Sequence, residues 1–211
     1  MQITAIEKQR RRRRANVYLD GRYAFSLSLE LLAQAGLHEG DALSPEQVDS
    51  LRQADVRDQA HQAALRLLAY RPRSEAEIRQ RLARRGLPPQ VVQETIARLR
   101  EQGLLDDAAF ARSWVEMRDQ HSPRGRRLLW QELSLKGIER EIAREVIADV
   151  AEEDAALRAA QKKARLLQGQ DYATFRRRLG DFLLRRGFPS STVRTTIEAL
   201  WREGQQGSGR P

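Results

Sequence analysis

Two neighbouring carboxylates, Asp106 and Asp107, are the residues of this chain whose type and spacing come nearest to chemistry. Such a pair can hold a divalent cation or divide the roles of acid and base. Here the pair follows Gly103-Leu104-Leu105 and precedes an apolar helical stretch from Ala108. Helix capping and compensation of the helix dipole therefore explain it better. Glu152-Glu153-Asp154 heads a later helix in the same way. Cysteine is absent, which excludes thiolate metal sites, disulfides and a thiol nucleophile and fits a reducing compartment. His38, His61 and His121 are far apart, with no pair at ligand spacing. No phosphate-binding loop, dinucleotide fingerprint or nucleophile elbow occurs. The sequence thus supports no catalytic residue, no metal and no cofactor, and it reads as a protein that is not an enzyme.

The basic residues are the other candidates. The 211 residues carry 38 Lys and Arg against 29 Asp and Glu, a net charge of +9, and nearly all of the basic residues are Arg. The Arg-to-Lys ratio fits either a GC-rich coding sequence or contact with phosphate or carboxylate, which guanidinium binds well. The excess charge itself points to a polyanionic or acidic partner. Arg84-Arg85 and Arg185-Arg186 end helices, where the dipole favours cations and a structural role suffices. Arg124, Arg126 and Arg127 surround Gly125 at a helix start, and Arg176, Arg177 and Arg178 begin another. Cations there oppose the dipole, so these two clusters, with Arg71 and Arg73 around Pro72, are the candidate partner- or DNA-binding residues. Neutralising Arg124, Arg126 and Arg127 is expected to weaken partner binding with little loss of folding, as for exposed charges. The run Arg10 to Arg14 is equally a contact or a solvated loop.

These clusters are positioned by a mainly helical chain. Residues before Leu29 differ from the rest: Asn16 to Leu19 and Tyr23 to Leu29 flank Asp20-Gly21, a type I′ hairpin signal. A small N-terminal β-hairpin or sheet is expected, with the arginine run joining its first two strands. It would be marginal alone and must pack on helices. Glu30 to Ala35 reads as a short helix ended by Gly36. Ser44-Pro45-Glu46-Gln47 is a capping box opening a helix that runs to Tyr70, with a break near 54–57.

A repeat of about fifty residues organises the remainder. Gly86, Gly137 and Gly187 align five aliphatic columns. These are Ile78/Leu129/Leu179, Leu82/Leu133/Leu183, Leu87/Ile138/Phe188, Ile96/Ile147/Ile197 and Leu99/Val150/Leu200. The first two columns are four apart and form one helix face. Each glycine falls where a helix ends in the left-handed conformation. Each repeat is therefore three short helices, the last two joined by the glycine turn. The expected architecture is tandem three-helix, helix-turn-helix-like repeats that share a core in an elongated, curved array. The expected divisions are an N-terminal segment 1–54, repeats at 55–105, 106–150 and 151–203, and a disordered tail 204–211. No apolar run is long enough for a membrane span, so a cytoplasmic chain is expected.

Several stretches in order resemble the RecX family of bacterial RecA regulators. They are Ser26-Leu-Ser-Leu-Glu-Leu-Leu, Gly36-Leu-His-Glu-Gly40, Leu67-Leu-Ala-Tyr-Arg-Pro-Arg-Ser-Glu75 and Leu82-Ala-Arg-Arg-Gly86. Further on stand Gly103-Leu-Leu-Asp-Asp-Ala-Ala-Phe-Ala111, Pro123-Arg-Gly-Arg-Arg-Leu128 and Glu132-Leu-Ser-Leu-Lys-Gly-Ile138. The resemblance covers about residues 20–150, with the third repeat matching by pattern. It implies tandem three-helix repeats and a regulator that binds RecA and RecA–single-stranded-DNA filaments. Such a regulator inhibits filament growth, with loss of recombinase, ATPase and co-protease activity. Single-stranded DNA would be met directly or through the filament, and nothing demands more than a monomer. The alternative is a DNA-binding regulator that acts through its helix-turn-helix-like units without RecA.

Overall fold

The computed structural model describes residues 1–10 and 13–207. Its order is three strands, β1 (Ile3–Lys8), β2 (Arg14–Leu19) and β3 (Arg22–Ser28), then ten helices. The helices are α1 (Leu29–Gln34), α2 (Pro45–Tyr70), α3 (Glu75–Ala83), α4 (Pro89–Glu101), α5 (Asp107–His121), α6 (Arg126–Leu135), α7 (Arg140–Ala148), α8 (Glu152–Arg165), α9 (Tyr172–Arg185) and α10 (Ser190–Gly207). Among the described residues, no helix is long and apolar enough to cross a membrane.

The chain divides into two units. The first comprises Met1–Arg73 and Ile78–Leu105; the second comprises Ser74–Glu77 and the residues from Asp106 onward. In the first unit the strands form an antiparallel meander in the order β1-β2-β3. Asp20 and Gly21 take φ of 48° and 78°, as the I′ turn between β2 and β3 requires. Alternate residues Ala15, Val17 and Leu19 are buried, and Val17 and Leu19 join Ile3, Phe25 and Leu27 against Leu43 and Val48. Arg14 is the first residue of β2 rather than part of its connection to β1, and Arg11 and Arg12 lie outside the described residues.

Ser44 opens α2 with the expected reciprocal capping box. The helix then runs unbroken to Tyr70, against the expected interruption at 54–57. It serves two cores at once: Val48 and Leu51 pack with the sheet, whereas Ala63, Ala64 and Leu68 pack with α3 and α4. A break would separate these two faces, and residues 54–57 contain no glycine or proline to cause one.

The glycine columns behave as the repeat predicts. Gly86, Gly137 and Gly187 have φ of 74°, 73° and 86°. Ile138 and Phe188 donate their N–H groups five residues back, to Leu133 and Leu183, closing the turn. The −8 and −4 columns are all buried, as are Ile96, Ile147 and Ile197. One expectation fails: the repeats do not share a core. α2–α4, α5–α7 and α8–α10 each enclose their own apolar cluster. At the end of the described residues α10 continues to Gly207. Residues 208–211 lie outside the described residues.

Candidate partner-binding surface

Within the second unit, neighbouring three-helix segments meet through polar backbone and capping contacts, and this decides which arginines remain for a partner. Ser74 caps α3, accepting from the Glu77 N–H at 3.2 Å, and its hydroxyl donates to the Lys136 carbonyl at 2.6 Å. At the corresponding position before α6, the Gly125 N–H donates to the Arg186 carbonyl at 2.9 Å. Both acceptors are the residue just before a repeat glycine. The first N–H of α3 and that of α6 are satisfied from the next repeat as well. Glu75 donates to Asp107 Oδ1 and Arg126 to Glu152 Oε1, both at 2.9 Å. A Cβ on Gly137 would overlap that of Ala76, and one on Gly125 would overlap the Gly187 carbonyl. The backbones approach too closely for an apolar layer between them, which explains the separate cores.

Asp106 is the N-cap of α5, accepting from Ala109 N–H at 2.8 Å, and Asp107 caps α3. The acidic pair is thus occupied as helix caps, in two different helices.

The candidate arginines separate into groups. Arg124 ion-pairs with Glu132, which also accepts from Trp114 Nε1 at 2.8 Å and Arg118 Nε at 2.9 Å. Burial, together with the neighbouring Arg118 and Arg186 guanidiniums, lowers the Arg124 pKa. Arg126 turns its guanidinium onto the carbonyls of Ala148 and Val150, at 3.1 and 2.8 Å. A cation at the start of α6 therefore rests at the negative end of α7, which removes the dipole conflict read from sequence. Arg127 reaches the Leu184 carbonyl at 3.3 Å. Arg124 is thus partly buried in an ion cluster and Arg126, though exposed, is held by carbonyls, so the two are less free for a partner than the sequence suggests. In the first unit, Arg73 Nε donates to the Leu67 carbonyl at 3.0 Å and Arg71 to the Pro72 carbonyl at 2.9 Å. Arg176, Arg177 and Arg178 are different. They stand on α9 between buried Phe175 and Leu179, exposed and without a partner among the described residues. Within the second unit, Arg127 reaches α9 at Leu184, whereas Arg176, Arg177 and Arg178 stand about two turns earlier on that helix.

Arg186, assigned a structural place from sequence, has one: it donates to Ser122 Oγ at 2.9 Å and lies 4.5 Å over the Phe182 ring. A further polar cleft of about 1080 Å³ lies wholly within the first unit, between β3, α2 and the Gly86 turn. It is lined by Arg13, Arg14, Arg52, Arg66 and Arg85 together with Tyr23, Glu30, Asp55 and Asp58. Sequence reasoning singled out none of Arg52, Arg66 or Tyr23. They are scattered over more than forty positions and form no local motif.

Comparison with known proteins follows this organisation. Residues 1–44 match the family model "Regulatory protein RecX N-terminal domain". Residues 60–99, 106–147 and 151–197 match the first, second and third RecX three-helix domains in order. The regulatory protein RecX of Lacticaseibacillus casei is 33% identical over 94% of this chain and 76% of its own length. That of Bacillus licheniformis is 28% identical over 99% of this chain and 81% of its own. A crystal structure of regulatory protein RecX superposes with a TM-score of 0.72 at 29% identity, covering 93% of this chain and 98% of the other. The RecX of Lactobacillus salivarius gives 0.64 at 25% identity, over 70% of this chain and 97% of the other. One strand-and-helix unit and three tandem three-helix segments, matched in order from end to end, make this chain a member of the RecX family of regulatory proteins.

Proposed function

We propose that this chain binds RecA filaments on single-stranded DNA and limits their growth, thereby lowering recombinase, ATPase and co-protease activity. The ordered match of all four RecX domains along the chain carries this reading. It acts as a cytoplasmic monomer and without catalysis of its own. The exposed trio Arg176, Arg177 and Arg178 supplies guanidinium forks for carboxylates or phosphates. Arg127 adds a further exposed cation, tethered to the Leu184 carbonyl. Arg71 and Arg73 frame the turn between α2 and α3. A surface of such contacts associates fast and weakens with salt.

The test is the single-stranded-DNA-dependent ATP hydrolysis of RecA, followed while this protein is added far below the RecA concentration. Inhibition at that ratio is expected, since blocking growth at filament ends needs few molecules. Inhibition that begins only when DNA sites are saturated would reduce the protein to a competitor for bare DNA and refute the reading.

A further inference from the structure

We propose that the cleft of the first unit is a binding site for single-stranded nucleic acid. In this site Arg13, Arg66 and Arg85 take phosphates and Tyr23 takes the face of a base.

The cleft exists because one stacking face is left open. In the second unit the glycine turns are covered: a Cβ on Gly137 would meet Ala76, and one on Gly187 would lie 2.6 Å from Leu128 Cβ. At Gly86 the equivalent space is empty, and its neighbours Arg85 and Leu87 line the cleft instead.

Its charges are of two kinds. Arg14 is committed to Asp55 at 2.7 Å and to the Ser26 carbonyl at 2.9 Å. Arg52 is held by the Ala24 carbonyl and lies 5.9 Å over the Phe25 ring. Arg13, Arg66 and Arg85 are exposed and have no partner among the described residues. Three free guanidiniums around one concavity suit the spaced phosphates of a strand.

One further observation chooses a nucleotide over an acidic peptide. Tyr23 lines the same cleft with 58% of its surface exposed, a ready stacking platform. Asp55 also lines it and is only 6% exposed. Its Oδ2 accepts from Arg14 and from Gln59 at 2.6 Å and its Oδ1 is buried, so this carboxylate holds the cleft wall and leaves the free guanidiniums unneutralised. An acidic peptide offers carboxylates to the guanidiniums but no flat aromatic face to Tyr23. The cleft volume, about 1080 Å³, lies at the upper end of ligand sites of roughly 300–1,000 Å³, enough for more than one nucleotide.

The experiment is anisotropy of a short fluorescent single-stranded oligonucleotide titrated with the full chain over a series of salt concentrations. Replacing Arg13, Arg66 and Arg85 together by Gln should lower affinity at least about tenfold at low salt. At about 0.7 per phosphate, it should also flatten the log–log salt slope by about 2. Tyr23→Ala should lower affinity about tenfold and leave the slope unchanged, because stacking releases no counterions. Removing the same charge at Arg112, Arg140 and Arg144, which are exposed in the second unit, should change affinity much less. Equal losses from the two triple variants would overturn the proposal, since net charge would then be the cause. So would wild-type affinity in either cleft variant. Retained oligonucleotide binding with loss of the effect on RecA would overturn it in favour of a protein occupant. No recombinase is present in this assay, so its failure leaves the ATPase titration to decide the filament reading separately.

Discussion

Replacing Gly125 by Ala tests whether close backbone approach joins the second and third repeats. Gly125 has φ −72° and ψ 158°, a conformation that alanine adopts without strain. At such a position Gly→Ala ordinarily stabilises by about 0.4–1 kcal/mol, through a less flexible unfolded chain. Here the new methyl would fall on the Gly187 carbonyl and lie 2.6 Å from the Phe188 nitrogen. Both obstacles are backbone and cannot rotate away. Overpacking of this kind costs about 1–3 kcal/mol, and displacing the Gly125 N–H from the Arg186 carbonyl adds about 1 kcal/mol. A net loss of about 2 kcal/mol is expected, opposite in sign to the intrinsic effect. For a unit of about a hundred residues this lowers the melting temperature by roughly 8 °C or more. The assay is built in, because Trp114, Trp130 and Trp201 all lie in the second unit. Intrinsic fluorescence therefore follows that unit alone. Gly86→Ala is the comparison: it carries left-handed strain at φ 74° but meets nothing within 4 Å, and it lies in the unit without tryptophan. It should shift helical circular dichroism while leaving the tryptophan transition in place. Unchanged or increased stability in Gly125→Ala would refute the close-contact account.

Three other outcomes are expected. Glu132→Ala leaves Arg118 and Arg124 facing each other without their carboxylate and frees Trp114 Nε1. Breaking this partly buried ion cluster costs about 2 kcal/mol, seen as a lower tryptophan transition; a change below about 0.5 kcal/mol would show that the pairing is idle. His61 is held below its ordinary pKa mainly by burial and then by Arg98, against the opposing carboxylates of Asp58 and Glu30. Its contribution to stability is complete above the unfolded value of 6.5 and is lost as pH falls through the folded one. His61→Leu should remove that acid-side loss from the first unit, measured by unfolding at a series of pH values; an unaltered profile would exclude His61 as its source. Asp171, the N-cap of α9, is lowered by the N–H and hydroxyl of Thr174. Its capping is therefore present above 3.8 and lost as pH falls below it. Asp171→Asn should keep the helix start at neutral pH and abolish its acid fraying in amide exchange, and fraying that persists in the variant would locate the titrating group elsewhere.

The repeat was legible because it depends on local rules. Left-handed glycine and four-residue apolar spacing leave marks at fixed offsets, and Gly86, Gly137 and Gly187 show them. The Asp20-Gly21 turn and the Ser44 capping box were legible for the same reason. What lies between repeats was not. The partners Glu75–Asp107 and Arg126–Glu152 are separated by 32 and 26 residues, and nothing in either segment names the other. The dipole argument for Arg126 was sound for α6 alone, but it omitted α7, whose carbonyls take the charge. The unbroken α2 was misread because its apolar face changes partner midway, so that no single periodicity describes it. Arg176, Arg177 and Arg178 are exposed, but α9 begins at Tyr172, so they stand in its second turn rather than at its start, and the dipole conflict expected for them does not arise.

The cross-repeat caps also bear on how this protein is made. The first N–H of α6 is answered by Glu152, a residue synthesised 26 positions later. A chain leaving the ribosome at about 5–20 residues per second thus holds α6 for a second or more with its leading end incomplete. The end is finished only when the next repeat begins to emerge. The same dependence runs from α3 to Asp107. Synthesis from N- to C-terminus therefore closes α3 and α6 one repeat behind the growing end, whereas α9, capped by its own Asp171, needs nothing made later.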